Sequence, residues 1–353
     1  MRKLEDFENP RFIKLRDGLH GASFFLMKLL PARFILERAA EQGSLKPGGR
    51  ICASSSGNFG LALAMLAVQN GYKLTLVSDV TLDRHLHKRL SDLGADLDIV
   101  RNPVPSGGFQ RARLDRLAAC LKEAPDSYWP SQHTNPDYPL AYAKFAAALI
   151  DRLGKIDCLV GAVSSGGSMC GTCKALRALF PELYAIGVDT PGSILFGQPS
   201  GRRYFGGLGG DTLSPNLDHR QFDEVHWLTA AEAVHATHRL HREHGLYMGP
   251  TSGAGFKVAE WWSRMNPGKT VVAIFPDEGH RHSDTTYNEE WLSSIPKWPI
   301  SARNGPLAVA APTDELKGWS SYSWGRRTLD EVLSGLIDHA PRHLVHSLLG
   351  SAL

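Results

Sequence analysis

Ser54-Ser55-Ser56-Gly57-Asn58-Phe59-Gly60 follows a short apolar run, Arg50–Ala53, and opens a helical pattern, Asn58–Gln69. A strand that turns through serine, glycine and asparagine into a helix is the start of a βαβ unit. Glycine lets backbone approach a ligand closely, and N–H groups at a helix start attract phosphate or carboxylate. Hydroxyls add further donors. Two more turns have the same make-up. Ser164-Ser165-Gly166-Gly167-Ser168 joins the strand pattern Cys158–Val163 to the helical pattern Ser168–Leu179. Gly249-Pro250-Thr251-Ser252-Gly253-Ala254 leads into Ala254–Met265. One such turn is explained by helix capping, which enriches Ser and Gly. Three in one chain point to an anionic ligand. None fits G-x-x-x-x-G-K-[ST] or a clean G-x-G-x-x-G, so neither a nucleotide P-loop nor a dinucleotide site is supported.

The rest of the chain continues the alternation. Lys73–Ser78, Leu97–Arg101, Ala185–Asp189 and Thr270–Phe275 read as strands. Ala32–Gln42, Asp83–Leu93, Gln110–Glu123, Leu140–Leu153, Ala230–Glu243 and Thr286–Leu292 read as helices. The expectation is an α/β protein of two lobes, with parallel sheets flanked by helices and a small-molecule site in the cleft. We divide it into an N-terminal segment, 1–30, a smaller α/β domain, 31–145, a larger one, 146–300, and a C-terminal extension, 301–353. The extension differs in composition, with an Ala/Pro stretch, a Trp/Ser/Tyr patch and one amphipathic helix pattern, Thr328–Asp338.

Bulk properties exclude several classes. A chain of 353 residues exceeds what one core usually organises. The net charge of +3, without a long basic run, gives no footprint for nucleic acid. No apolar run reaches ~18 residues, so no membrane span is expected, and the start lacks the apolar stretch of a signal peptide. Five cysteines do not make a disulfide framework, and a cytoplasmic setting is expected. Cys170 and Cys173 form a C-x-x-C with no second pair at zinc-site spacing, so no metal is expected. His85 and His87 read as a solvated helix face, and Trp261 and Trp262 as core or interface.

The three turns resemble those of the cysteine synthase family, which are fold type II enzymes dependent on pyridoxal 5′-phosphate (PLP) and are similar to tryptophan synthase β. Ser55–Gly60 is similar to the family's substrate loop, Ser164–Ser168 to its phosphate cup, and Gly249–Ala254 to the loop facing the pyridine nitrogen. Gly43-Ser44-Leu45-Lys46-Pro47-Gly48 matches the family's G-L-I-K-P-G. The likeness spans roughly residues 12 to 293. Within it, Met27–Glu37, Tyr128–Gln132, Gly192–Gly197 and Pro276–Arg281 resemble the 2,3-diaminopropionate synthases of siderophore and antibiotic pathways, which use O-phosphoserine.

The resemblance implies roles. Lys28, fifteen residues before Gly43, stands where the family holds its coenzyme as a Schiff base. Its apolar neighbours suit that role, since desolvation lowers an amine's pKa. Asn58 would bond the ring hydroxyl, Ser164, Ser165, Gly166, Gly167 and Ser168 the phosphate, and Thr251 the pyridine nitrogen. Ser55, Ser56, Gly57, Phe59 through its N–H, and Gln132 would grip the substrate carboxylate. Tyr142, Ser193, Arg281 and the His280/His282 pair are further candidates for the pocket. The implied reaction replaces the β-substituent of O-phosphoserine or O-acetylserine through an aminoacrylate, with an amino acid as nitrogen donor, in a homodimer acting on small-molecule amino acids. The alternatives are cysteine synthesis from sulfide, a β-eliminating lyase, and a non-catalytic sensor. Two departures stand out: the Asp-Arg that follows the family's lysine is Leu29-Leu30 here, and the family's G-x-T-P section is missing or reduced.

Overall fold

The computed structural model describes residues 4–105, 108–300 and 303–337. It contains strands β1 (Arg11–Arg16), β2 (Leu19–Ser23), β3 (Arg50–Ser54), β4 (Lys73–Asp79), β5 (Asp96–Val100), β6 (Cys158–Ala162), β7 (Tyr184–Asp189), β8 (Glu224–Trp227), β9 (Val271–Phe275), β10 (Leu307–Ala308) and β11 (Ser320–Ser323). The chain forms two compact units, Met1–Asn9 with Leu26–Ala141, and Pro10–Phe25 with Tyr142–Leu353.

The first unit is built on the parallel sheet β3-β4-β5. Tyr128 bridges Ile51 in parallel, and its carbonyl accepts the Cys52 N–H at 2.9 Å. The helix Asn58–Asn70 carries no charged residue and buries Phe59, Leu61, Leu63 and Leu66, as an element apolar on most sides must. Helices Leu29–Glu41, Arg84–Asp92 and Gly108–Glu123 complete the unit. Arg33 on the first of these is ion-paired with Glu8, both side chains buried.

The second unit holds a mixed sheet in the order β1-β2-β9-β6-β7-β8-β11-β10. Its centre is parallel and apolar. Every residue of β9, Val-Val-Ala-Ile-Phe, is buried, which reads as a strand covered on both faces. Each large side chain there contributes ~1.5–3 kcal/mol relative to exposure. Pro250–Met265 packs tightly on Ala230–His244: a Cβ on Gly253 would lie 2.0 Å from Thr237 Oγ1.

Segments near both ends of the chain add strands to this sheet. Residues of the 1–30 segment form the hairpin β1–β2, whose inner strand pairs in parallel with β9, Leu19 opposite Val271. Described residues of 301–353 close the other edge: β11 pairs antiparallel with β8, and Trp319 is buried. Trp319 Nε1 donates to His226 Nδ1 at 3.0 Å, and its backbone N–H donates to Glu232 Oε1 at 3.2 Å. Of the amphipathic pattern Thr328–Asp338, Leu329–Ile337 is helical, and Asp338 lies outside the described residues.

Candidate active site

In the first unit, Lys28 caps the helix Leu29–Glu41, two residues after the chain re-enters that unit at Leu26. Lys28 Nζ donates to Tyr138 Oη at 2.5 Å and lies 5.0 Å from the centre of that ring. Burial pushes the amine down to about 8. Among the described residues no carboxylate is paired with it. Tyr138 is fully buried, and its ring meets Phe59 edge-on at 5.8 Å.

Phe59 ties this tyrosine to the asparagine turn. Ser55 Oγ accepts from the backbone N–H of Gly57 at 3.2 Å and of Gly60 at 3.1 Å. The Ser55 oxygen thus shapes the turn. Gly60 has no room for a side chain, because a Cβ would lie 2.8 Å from Leu76. The helix that follows has Gly57 as its N-cap and no side-chain cap. Gln132 lies four residues past Tyr128, so its loop leaves the sheet at the same end as the turn after β3. Arg113, which sequence reasoning missed, bonds Ser56 Oγ at 3.3 Å and is paired with buried Asp79.

In the second unit, the Ser164–Ser168 turn leads from β6 into the helix Gly167–Arg177. Gly166 is the N-cap at φ +81°, and a Cβ there would meet Leu217 Cα at 2.5 Å. No side chain caps this helix either. The same holds for Pro250–Met265, whose N-cap is Gly249 and whose second residue is the buried Thr251. A Cβ on Gly249 would fall 2.5 Å from Asp277 Oδ1 and 2.8 Å from His282 Nε2. Three glycine-capped helices therefore begin at the ends of β3 and β6 and beside the end of β9, and helix starts favour negative charge.

The other candidates lie in the second unit. His282 is buried on Asp277 at 3.2 Å, whereas His280 is exposed beside Tyr247. Ser193 Oγ accepts from the N–H of Leu195 and of Gly210, so it organises its own loop. Tyr142 is fully buried. Trp261 packs on Trp319 and Trp262 on Tyr184. Cys170 and Cys173 are buried on their helix, and burial raises both thiols, Cys173 to about 12. Among the described residues no group of three or more His, Cys, Asp or Glu is arranged for a metal.

Residues 3–277 match the model of the family described as pyridoxal-phosphate dependent enzyme. The chain belongs to this PLP-dependent family. It is 33% identical over 289 residues to an N-(2-amino-2-carboxyethyl)-L-glutamate synthase of Cupriavidus metallidurans, covering 80% of this chain and 84% of that one. A synthase of the same name from Ralstonia nicotianae is 31% identical, covering 85% and 91%. Among solved structures, an O-acetylserine dependent cystathionine beta-synthase from Helicobacter pylori has a TM-score of 0.74 at 24% identity, covering 81% of this chain and 98% of that one. A hydrogen sulfide-producing enzyme from Fusobacterium nucleatum has a TM-score of 0.74 at 22% identity, covering 80% and 99%. These likenesses establish the fold type II architecture.

The residues present fit pyridoxal phosphate. Gly166 cannot carry a side chain, and the helix behind it starts uncapped, as a phosphate cup requires. Thr251 offers a neutral hydroxyl at a second helix start. Lys28 offers a desolvated amine with a lowered pKa, as imine chemistry requires.

Proposed function

We propose that this enzyme replaces the β-substituent of an O-activated L-serine, O-phosphoserine or O-acetylserine, with the nitrogen of an amino acid such as glutamate. The Cβ–O bond breaks, phosphate or acetate leaves, a Cβ–N bond forms, and the incoming amine loses a proton. The product is of the 2,3-diaminopropionate type. Two relatives bear the name of a glutamate carrying a 2-amino-2-carboxyethyl group, which is such a product. The observation that carries the reading is the Lys28 amine, desolvated and without a carboxylate partner among the described residues, thirty residues ahead of Asn58.

Pyridoxal phosphate supplies the electron sink for breaking the bonds at Cα and Cβ. Lys28 would hold its aldehyde carbon, Ser164, Ser165, Gly166, Gly167 and Ser168 its phosphate, and Asn58 its ring hydroxyl. Thr251 would face the pyridine nitrogen. A neutral hydroxyl there, unlike a carboxylate, would not hold a proton on that nitrogen, so the electron sink supplied would be a moderate one. Ser55, Ser56, Gly57, the Phe59 N–H and Gln132 would orient the substrate carboxylate, with Ser55 also keeping the turn in shape. Arg113, paired with Asp79, would steady Ser56. Lys28 Nζ, held at Tyr138, would be the base that removes the substrate's α-proton.

The test has two parts. The purified protein should absorb at roughly 410–430 nm, and Lys28→Ala should lose both this band and turnover. Supplied with O-phosphoserine or O-acetylserine, it should consume L-glutamate and release a product with one new C–N bond, read by mass spectrometry. Product with sulfide alone, or pyruvate alone, would replace this reading by cysteine synthesis or β-elimination. We take the working form to be a cytoplasmic homodimer. The five cysteines are free and buried, and among the described residues no helix is long and apolar enough to cross a membrane. Sedimentation would check the dimer.

A further inference from the structure

Resting on the assignment of Lys28 as the coenzyme lysine, we propose that Tyr138 is its positioning residue. The buried hydroxyl holds the Lys28 amine whenever that amine is released, in either protonation state. Tyr138 stands 110 residues from Lys28 in sequence, yet its Oη is the hydrogen-bond partner of Nζ at 2.5 Å.

Three observations support this. The hydroxyl is fixed in space, whereas the lysine stem is flexible. Tyr138 has no exposed surface, its ring is wedged against Phe59, and its N–H bonds Asn135 O at 3.1 Å. The short helix that carries it, Asp137–Leu140, is tied to Leu29–Glu41 by Arg38 and Asp137 at 3.1 Å.

The chemistry of the partner also suits a group that cycles. A phenol oxygen accepts from an ammonium, and its proton can be donated to a neutral amine. A carboxylate in this place would only accept, and would hold the lysine charged and unable to take a proton.

The charged groups on the surrounding helices are paired with one another or, as Glu41, exposed. Arg33 is paired with Glu8 and Glu37, and Arg38 with Asp137. The helix Asn58–Asn70 carries no charge. The hydroxyl of Tyr138 is thus the group on these elements placed to control where the amine rests and how readily it gives up a proton.

The holoenzyme with Tyr138→Phe tests this, because the ring and its packing remain. Borohydride reduction and peptide mass mapping first report whether the coenzyme is attached to Lys28. The second readout is exchange of the α-proton of L-alanine, which has no leaving group, with deuterium from solvent, followed by NMR across pH.

Tyr138→Phe should still carry coenzyme on Lys28, with KM for the amino acid within about twofold of the wild type. Its exchange rate should fall about tenfold or more. The midpoint of its pH profile should move toward acid, because the ammonium has lost an acceptor. Tyr138→Met fills the same buried space without a hydroxyl and should behave alike; it carries the comparison if the Phe variant does not accumulate. Coenzyme found on another lysine in the wild type would remove the Lys28 assignment and this proposal with it. Coenzyme on Lys28 in both proteins, with superimposable exchange profiles, would refute the role of Tyr138 and leave the proposed function standing.

Discussion

Gly166 shows what one residue must be for the turn after β6 to exist. Its φ of +81° is a conformation that other residues rarely adopt, and Leu217 Cα occupies the place of a Cβ. Gly166→Ala should cost about 1–3 kcal/mol in backbone strain. It should also weaken coenzyme binding by about tenfold or more, since the turn must open to admit the methyl group. Fluorescence titration with pyridoxal phosphate and a thermal melt measure the two effects separately. At this scale the sequence is legible where chemistry is local. Lys28, Asn58 and the Ser164–Ser168 turn stand out by their neighbours. Tyr138 and Arg113 do not, because what matters is their contact with Lys28 and with Ser56, 110 and 57 residues away. Ser55 was legible as part of the turn, but not as the atom that shapes it.

Among the elements, the strands that sequence reading finds are those with continuous apolar runs. β3, β4, β5, β6, β7 and β9 lie within a residue or two of their expected places. The strands it misses have other patterns. β1 interleaves Arg11, Lys14 and Arg16 with apolar residues at a sheet edge. β2 contains Gly21, where a Cβ would meet the Phe275 ring at 2.4 Å. β8 and β11, Glu-Val-His-Trp and Ser-Ser-Tyr-Ser, are short and polar, and are stabilised by partners far along the chain. Glu232 joins these levels. It completes the capping box with Thr229 at the start of Ala230–His244, and its other oxygen accepts the N–H of Trp319. Glu232→Ala should therefore cost more than the ~1 kcal/mol of a lost cap, because a buried N–H is also left unpaired. We expect about 2–4 kcal/mol in urea unfolding, with faster hydrogen exchange at Trp319 as the local sign.

For the molecule as a whole, two buried groups act oppositely on stability as pH changes. Burial holds His219, stacked on Trp324, down to about 4. Between about 4 and its ordinary 6.5 the unfolded chain binds more protons than the folded one, so stability falls as pH drops through that range. Burial pushes Asp189 up to about 7. Between 3.8 and about 7 the folded state holds the extra proton, so stability falls as pH rises through that range. Asp189→Asn should flatten the rising-pH loss, and His219→Phe the acid loss. Urea unfolding of both variants at several pH values between about 4.5 and 7.5 separates them, and either curve keeping its wild-type slope would contradict its assignment.

The hairpin that precedes Lys28 also has a consequence for biosynthesis. Leu19–Ser23 pairs with Val271–Phe275, which the ribosome makes some 250 residues later. At about 5–20 residues per second, the nascent chain waits roughly ten seconds or more with its first β-hairpin lacking a neighbour. The inner edge of the hairpin that leads to Lys28 therefore has no strand to pair with until residues 271–275 have been translated. Ribosome-bound chains arrested before residue 271 should be readily cut by protease around residues 10–25, and chains arrested well beyond it should resist.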